Sequence, residues 1–188
     1  MSSLLLTVPT VEPISLAEAK AYLRVEHAAD DDVIAALIAA ARIHIEAQTR
    51  RALISQSWRI ALDHWPVDGR MPVRPAPLQS LTAARVYDAD SVAQTIDLQA
   101  FVIDAGNATL AFAPWALPQP GRIAAGIELD VVCGYGDAAS DVPEPLRLAV
   151  RQLVAHWYDN RGLAAVGAVT VLPSAVGALI APYRLLSL

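Results

Sequence analysis

The amino-acid sequence predicts an α+β protein: a four-helix core, two helices from the N-terminal part and two from the C-terminal part, with a β-rich insertion between them. Three observations carry that reading. Apolar residues recur at three- and four-residue spacing up to about residue 51, alternate with polar ones from Ser55, and return to helical spacing after Pro143. The chain therefore divides into 1–54, N-terminal helices; 55–136, the β-rich insertion; and 137–188, the C-terminal helices that complete the core.

The first helix is expected from about Ser15 to Val25. Ser15-Leu16-Ala17-Glu18 has the capping-box form, in which the serine hydroxyl and the glutamate carboxylate each satisfy an amide that the first turn leaves open. Asp30-Asp31-Asp32 then supplies negative charge at a second helix start, and Ile34, Leu37, Ile38, Ala41 and Ile45 make its apolar stripe, from about Asp31 to Arg51.

In the insertion, Trp58, Ile60 and Leu62 alternate with Arg59, Ala61 and Asp63, as one face of a half-buried strand requires. Pro66, Pro72, Pro75 and Pro77 mark edges and turns. Further strands are expected near Leu81–Tyr87, Phe101–Ile103, Thr109–Phe112 and Ile127–Cys133. In the last of these, Ile127, Leu129, Val131 and Cys133 face one way and Glu128 and Asp130 the other. Gly134-Tyr135-Gly136 ends it.

Pro143-Glu144-Pro145 opens a third helix, where proline costs no hydrogen bond, and Leu146, Ala149, Val150, Leu153, Val154 and Trp157 form its stripe. Its end is expected between Asn160 and Gly162, followed by a small-residue linker from Leu163 to Thr170. A last helix, capped by Ser174 and carrying Val176, Leu179 and Ile180, is disturbed at Pro182.

Composition excludes several classes. Apolar residues make up 55% of 188 and charged ones 18%, with mean hydropathy +0.39, so long solvated tails are not expected. No run reaches the roughly 20 apolar residues of a membrane-spanning helix, and the start lacks the basic segment of an export signal. One cysteine, Cys133, rules out an internal disulfide framework. Acids outnumber bases by 19 to 14, against broad wrapping of nucleic acid, which needs clustered cations.

The residues offer no catalytic, cofactor or metal site. His27, His44, His64 and His156 are far apart and form no ligand pair. Cys133 shares its strand face with three aliphatic side chains and reads as core. Asp30 to Asp32 lacks calcium-loop spacing and reads as a helix start, and Arg50-Arg51 complements a helix C-terminus. The serine-hydrolase elbow and the phosphate loop are both missing.

Four blocks, in order, resemble a known family: Ile14 to Val25; Asp31 to Thr49 followed by Arg51 to Trp58; Pro77-Leu78-Gln79-Ser80-Leu81; and Val132 to Gly136 leading through Val142-Pro143 to Ala155-His156-Trp157-Tyr158-Asp159-Asn160-Arg161. Together they are similar to the head-tail connector adaptors of tailed phages, prophages and gene transfer agents, over about residues 10 to 186.

The resemblance implies a structural, non-enzymatic subunit of a ring, commonly of twelve copies. Such a ring sits between portal and tail and continues the DNA channel. Its implied partners are the portal protein, neighbouring adaptor subunits, a stopper or other tail-proximal protein and DNA in transit, with no cofactor and no membrane. Assembly in the host cytoplasm would precede residence in the virion neck. By the same analogy the C-terminal segment engages the portal, which nominates Leu179, Ile180, Tyr183, Arg184, Leu185 and Leu186. An acidic channel wall repels DNA phosphates, so Asp30, Asp31, Asp32, Asp137 and Asp141 are the channel-facing candidates. Alanines 35, 36, 39 and 40 would permit close approach between neighbours. Beyond the C-terminal segment no long exposed apolar stripe is expected, so isolated subunits should be monomers. The competing readings are a stopper or tail-completion protein, a DNA-packaging accessory factor and a small hydrolase.

Overall fold

The computed structural model describes residues 1–160 and 173–185. Among these, four α-helices and two antiparallel sheets are formed, an α+β arrangement. The chain separates into two compact units, one of Met1–Pro9 with Ser55–Tyr135, the other of Thr10–Ile54 with the chain from Gly136 onward.

The first unit is built on β1 (Ser2–Thr7), β2 (Gln56–Leu62), β3 (Arg70–Pro72), β4 (Leu78–Tyr87), β5 (Ala93–Thr95), β6 (Phe101–Asp104), β7 (Thr109–Phe112) and β8 (Ile127–Cys133). The larger sheet runs β1-β2-β8-β4-β5 and the smaller β3-β7-β6. β8 is the central strand of the larger sheet, in register from Gln56↔Cys133 to Leu62↔Ile127 on one side and bonded to β4 on the other. Its alternation does what the sequence requires: Ile127, Leu129, Val131 and Cys133 are fully buried. On β2, Ile60 and Leu62 are buried beside them.

Trp65, Phe101 and Phe112 pack edge to face or tilted, with centroids 5.0 to 6.0 Å apart, and the Trp65 indole N–H donates to the Pro118 carbonyl at 2.9 Å. Gly69, at φ +65°, lies against the Phe112 carbonyl, where a Cβ has no room.

Three strands had no counterpart in the sequence reading. β3 and β5 have three residues each, too few for a period. β1 is the larger difference: the residues counted with the N-terminal helices form an edge strand paired with β2 instead.

The second unit contains α1 (Leu16–Leu23), α2 (Asp31–Thr49), α3 (Glu144–Asp159) and α4 (Ser174–Ile180). The Ser15 hydroxyl accepts from the Glu18 amide at 3.1 Å and the Glu18 carboxylate from the Ser15 amide at 2.8 Å, completing the capping box. α2 buries Ile34, Ile38, Ala41 and Ile45, and α3 buries Leu146, Ala149, Val150, Leu153 and Val154. Trp157 is only half-buried and meets His44 edge-on at 5.9 Å. Arg42 is buried on α2 because Glu12 and Glu46 receive its guanidinium at 2.8 and 3.0 Å. α4 starts one residue earlier than expected: its cap is Pro173, not Ser174. The linker from Leu163 to Thr170 lies outside the described residues.

Candidate functional site

The residues nominated above sort clearly by what they touch. In the C-terminal segment, α4 buries Val176 and Ile180 completely in its own unit. Pro182 has no amide to extend the helix, and a single 3-10 turn, Ala181–Tyr183, follows. Three bonds then tie the tail to the end of α2. Arg51 Nε donates to the Tyr183 carbonyl at 2.7 Å, the Leu185 amide to the Thr49 carbonyl at 3.2 Å, and Arg184 to the Gln48 side chain at 3.3 Å. Leu179, Tyr183 and Leu185 are half-buried and Arg184 is exposed. Leu186 lies outside the described residues.

The acidic candidates are partly engaged within the unit. The Tyr158 hydroxyl donates to Asp30, and Lys20 Nζ meets Asp31 at 2.5 Å. Asp141 accepts the Ala138 amide at 2.9 Å and sits against Gly136, fixing the turn. Asp32 and Asp137 are exposed. Asp137 borders a groove of about 570 Å³ whose apolar walls include Val11, Ile14, Leu16, Ala35 and Ile38, with Glu12 and Glu18 on its rim. Among the described residues no group of three or more His, Cys, Asp or Glu side chains is placed to hold a metal ion.

The polar cluster that sequence reasoning missed lies across β2, β8 and β4. Asp130 is buried, and its carboxylate accepts from Arg59 at 2.7 and 2.9 Å and from Arg85 at 2.9 Å. Glu128 accepts the Tyr87 hydroxyl at 2.9 Å and lies 3.4 Å from Arg59. The Arg59 hydrogen bonds, helped by Arg85, hold the Asp130 carboxyl below its ordinary range, and burial with the Glu128 bond pushes the Tyr87 phenol up. Two cations and two carboxylates balance on this sheet face. Placing Glu128 and Asp130 opposite the core side was readable from β8 alone; the partners of Asp130 stand 71 and 45 residues away, that of Glu128 41, and all needed the strand order.

Cys133 is fully buried, and burial pushes its thiol up to about 12, out of the range in which a thiolate forms at neutral pH. His27 and His64 are exposed and His156 lies beside Asn160.

Within each unit, the blocks that carried the resemblance touch one another. Pro77 and Gln79 meet Gly134, whose amide donates to the Pro77 carbonyl at 2.9 Å and whose carbonyl accepts from Gln79 at 2.8 Å. Arg147 donates to the Pro13 carbonyl at 3.0 Å and pairs with Glu18 at 2.5 Å, joining the first block to the fourth.

The comparisons point the same way. The family model of the phage gp6-like head-tail connector protein matches residues 13–87. No curated protein sequence matches the chain. A solved chain from the neck of an empty gene transfer agent particle, computed with C6 symmetry, is 28% identical over 100% of this chain and 97% of its own, with a TM-score of 0.83. One from the virion of a native gene transfer agent particle is 27% identical over the same shares, also at 0.83. A third, from the neck of a native particle computed with C12 symmetry, is 30% identical over 98% of this chain and 97% of that one, at 0.72. Fold and surfaces together define a structural subunit of the kind found in the neck of phage-like particles. The chain belongs to the phage gp6-like head-tail connector family.

Proposed function

We infer that this protein is the structural head-tail connector adaptor of a phage-like particle, forming a ring between portal and tail that continues the DNA channel. The observation that carries the reading is similarity over the whole chain to chains of a gene transfer agent neck, at 27 to 30% identity. Neck symmetry of order six and twelve supports a ring of identical subunits.

The finer assignments rest on accessibility. The helical unit, with all four α-helices, acts as the four-helix core on the portal side. Within the tail, Leu179, Tyr183, Arg184 and Leu185 keep surface for the portal, whereas Ile180 is spent on the subunit's own core. Among the nominated acids, Asp32 and Asp137 keep the exposure that repelling DNA phosphates from a channel wall requires. The remaining contact is with a stopper or other tail-proximal protein, and subunits join the portal in the host cytoplasm.

Quantitative mass spectrometry of purified particles tests the reading. A copy number matching that of the portal protein is expected. Absence of the chain from the particles rejects the adaptor assignment.

A further inference from the structure

β1 is unlike any other strand of the molecule. Its six residues, Ser2 to Thr7, are all exposed, and Leu4, Leu5 and Leu6 stand at 62%, 37% and 42% accessibility. Cross-strand pairing sets Leu4 beside Arg59 on the charged face of the sheet and Leu5 beside Trp58 on the other, so leucines flank both faces. Among the described residues its outer edge pairs with nothing. Soluble proteins protect such an edge with charge, proline within the strand or a covering element, and β1 has none of these along its length. A run of three exposed leucines belongs to a surface that becomes covered.

The opposite end of the same sheet is also open. β5, Ala93 to Thr95, is exposed throughout and uncharged, and follows the exposed Val92. Each neighbouring pair across β1-β2-β8-β4-β5 is antiparallel, so β5 runs in the same direction as β1.

A ring of identical subunits needs two different surfaces per subunit, each meeting its complement on the next copy. Two distinct, uncharged, open edges of one sheet satisfy that requirement. Their size fits as well: β1 gives an edge only about 20 Å long and β5 has three residues, so one such contact buries far less area than the roughly 800 Å² per partner of a stable pairwise interface. Such a contact holds when a ring closes it on both sides of every subunit, and not between free monomers.

Building on the ring reading above, we propose that β1 of one subunit pairs in parallel with β5 of its neighbour, so that the larger sheets join edge to edge around the ring. Leu4 and Thr95 then lie near each other across the junction on the charged face. The test is Leu4→Cys together with Thr95→Cys, in particles treated with a short bis-maleimide; the native thiol, Cys133, is buried. A ladder of multimers beyond the dimer is expected from the double variant, with monomer from each single variant. Dimers from Leu4→Cys alone mean that two β1 edges face each other and overturn the proposal, as does an uncrosslinked double variant in particles of full copy number. Leu4→Lys with Leu6→Lys gives a second reading. It is expected to leave the melting temperature of the isolated chain unchanged and to remove the chain from particles; unchanged incorporation overturns the proposal. Absence of the wild-type chain from particles instead defeats the ring reading beneath it.

Discussion

The two apolar ends of this chain make opposite use of similar side chains. The C-terminal segment, with Val176, Leu179, Ile180 and Leu185, is the one that sequence resemblance nominates for docking. Yet three of those residues are fully or partly committed inside: Val176 and Ile180 are wholly buried and Leu185 is tied through its amide to Thr49. β1, which the sequence reading passed over, leaves Leu4, Leu5 and Leu6 in solvent. Apolar content alone therefore does not distinguish a core stripe from an interface; the partners already present in the subunit do.

The contrast is sharpest in stability. Ile180→Ala removes a fully buried side chain and is expected to cost about 2–5 kcal/mol in urea unfolding, by lost transfer energy and the cavity left behind. Leu4→Ala, on the exposed edge, should stay within about 0.5 kcal/mol. Equal losses from the two would erase the distinction between the ends.

Next in size is Asp130→Asn, which strips two arginines of their shared carboxylate and should cost about 1–3 kcal/mol at neutral pH. Because the folded-state value of Asp130 lies below its ordinary 3.8, its contribution is present above that value. It is lost as pH falls through the lower folded value. The gap between wild type and Asp130→Asn in acid unfolding should accordingly close below about pH 4. A gap that stays constant into stronger acid would show that the carboxylate charge is not what holds the three strands.

Smaller again is Ser15→Ala, expected to cost about 0.5–2 kcal/mol by removing the cap of α1. Last comes Arg51→Ala, at about 0.5–1.5 kcal/mol, through the bond to the Tyr183 carbonyl. Its effect should appear as faster amide exchange at Leu185 with little change elsewhere. That confined response is the one expected of a tail held by three separate bonds.

Much of the architecture was legible because its signals are local. The capping box at Ser15 and Glu18, the stripe from Ile34 to Ile45 and the alternation from Ile127 to Cys133 each sit within one element and appear as read. β1 was not legible, since three consecutive leucines match neither the helical nor the strand period. The bulge between Leu5 and Thr7 breaks the alternation further. The exposure of Leu4, Leu5 and Leu6 was hidden as well, because exposure at a sheet edge is decided by strand order, which is non-local. The same reason hid the pairing of Asp130 with Arg59 and Arg85. Among the nominated acids, Asp30, Asp31 and Asp141 already had work in tying helices and a turn, which composition does not reveal.

The position of β8 has a consequence for how the chain comes into being. β2 leaves a ribosome early, but its main partner is a strand 71 residues further along, counted from Arg59 to Asp130, and β4 waits for that strand too. During synthesis the inner edges of β2 and β4, whose outer edges pair with β1 and β5, stay unpaired until β8 arrives between them. Pairings so distant in sequence close slowly and expose sticky strand edges while they wait. Folding of the sheet unit is thus gated by a late-made segment, and the rate of maturation should respond most to substitutions in Ile127–Cys133.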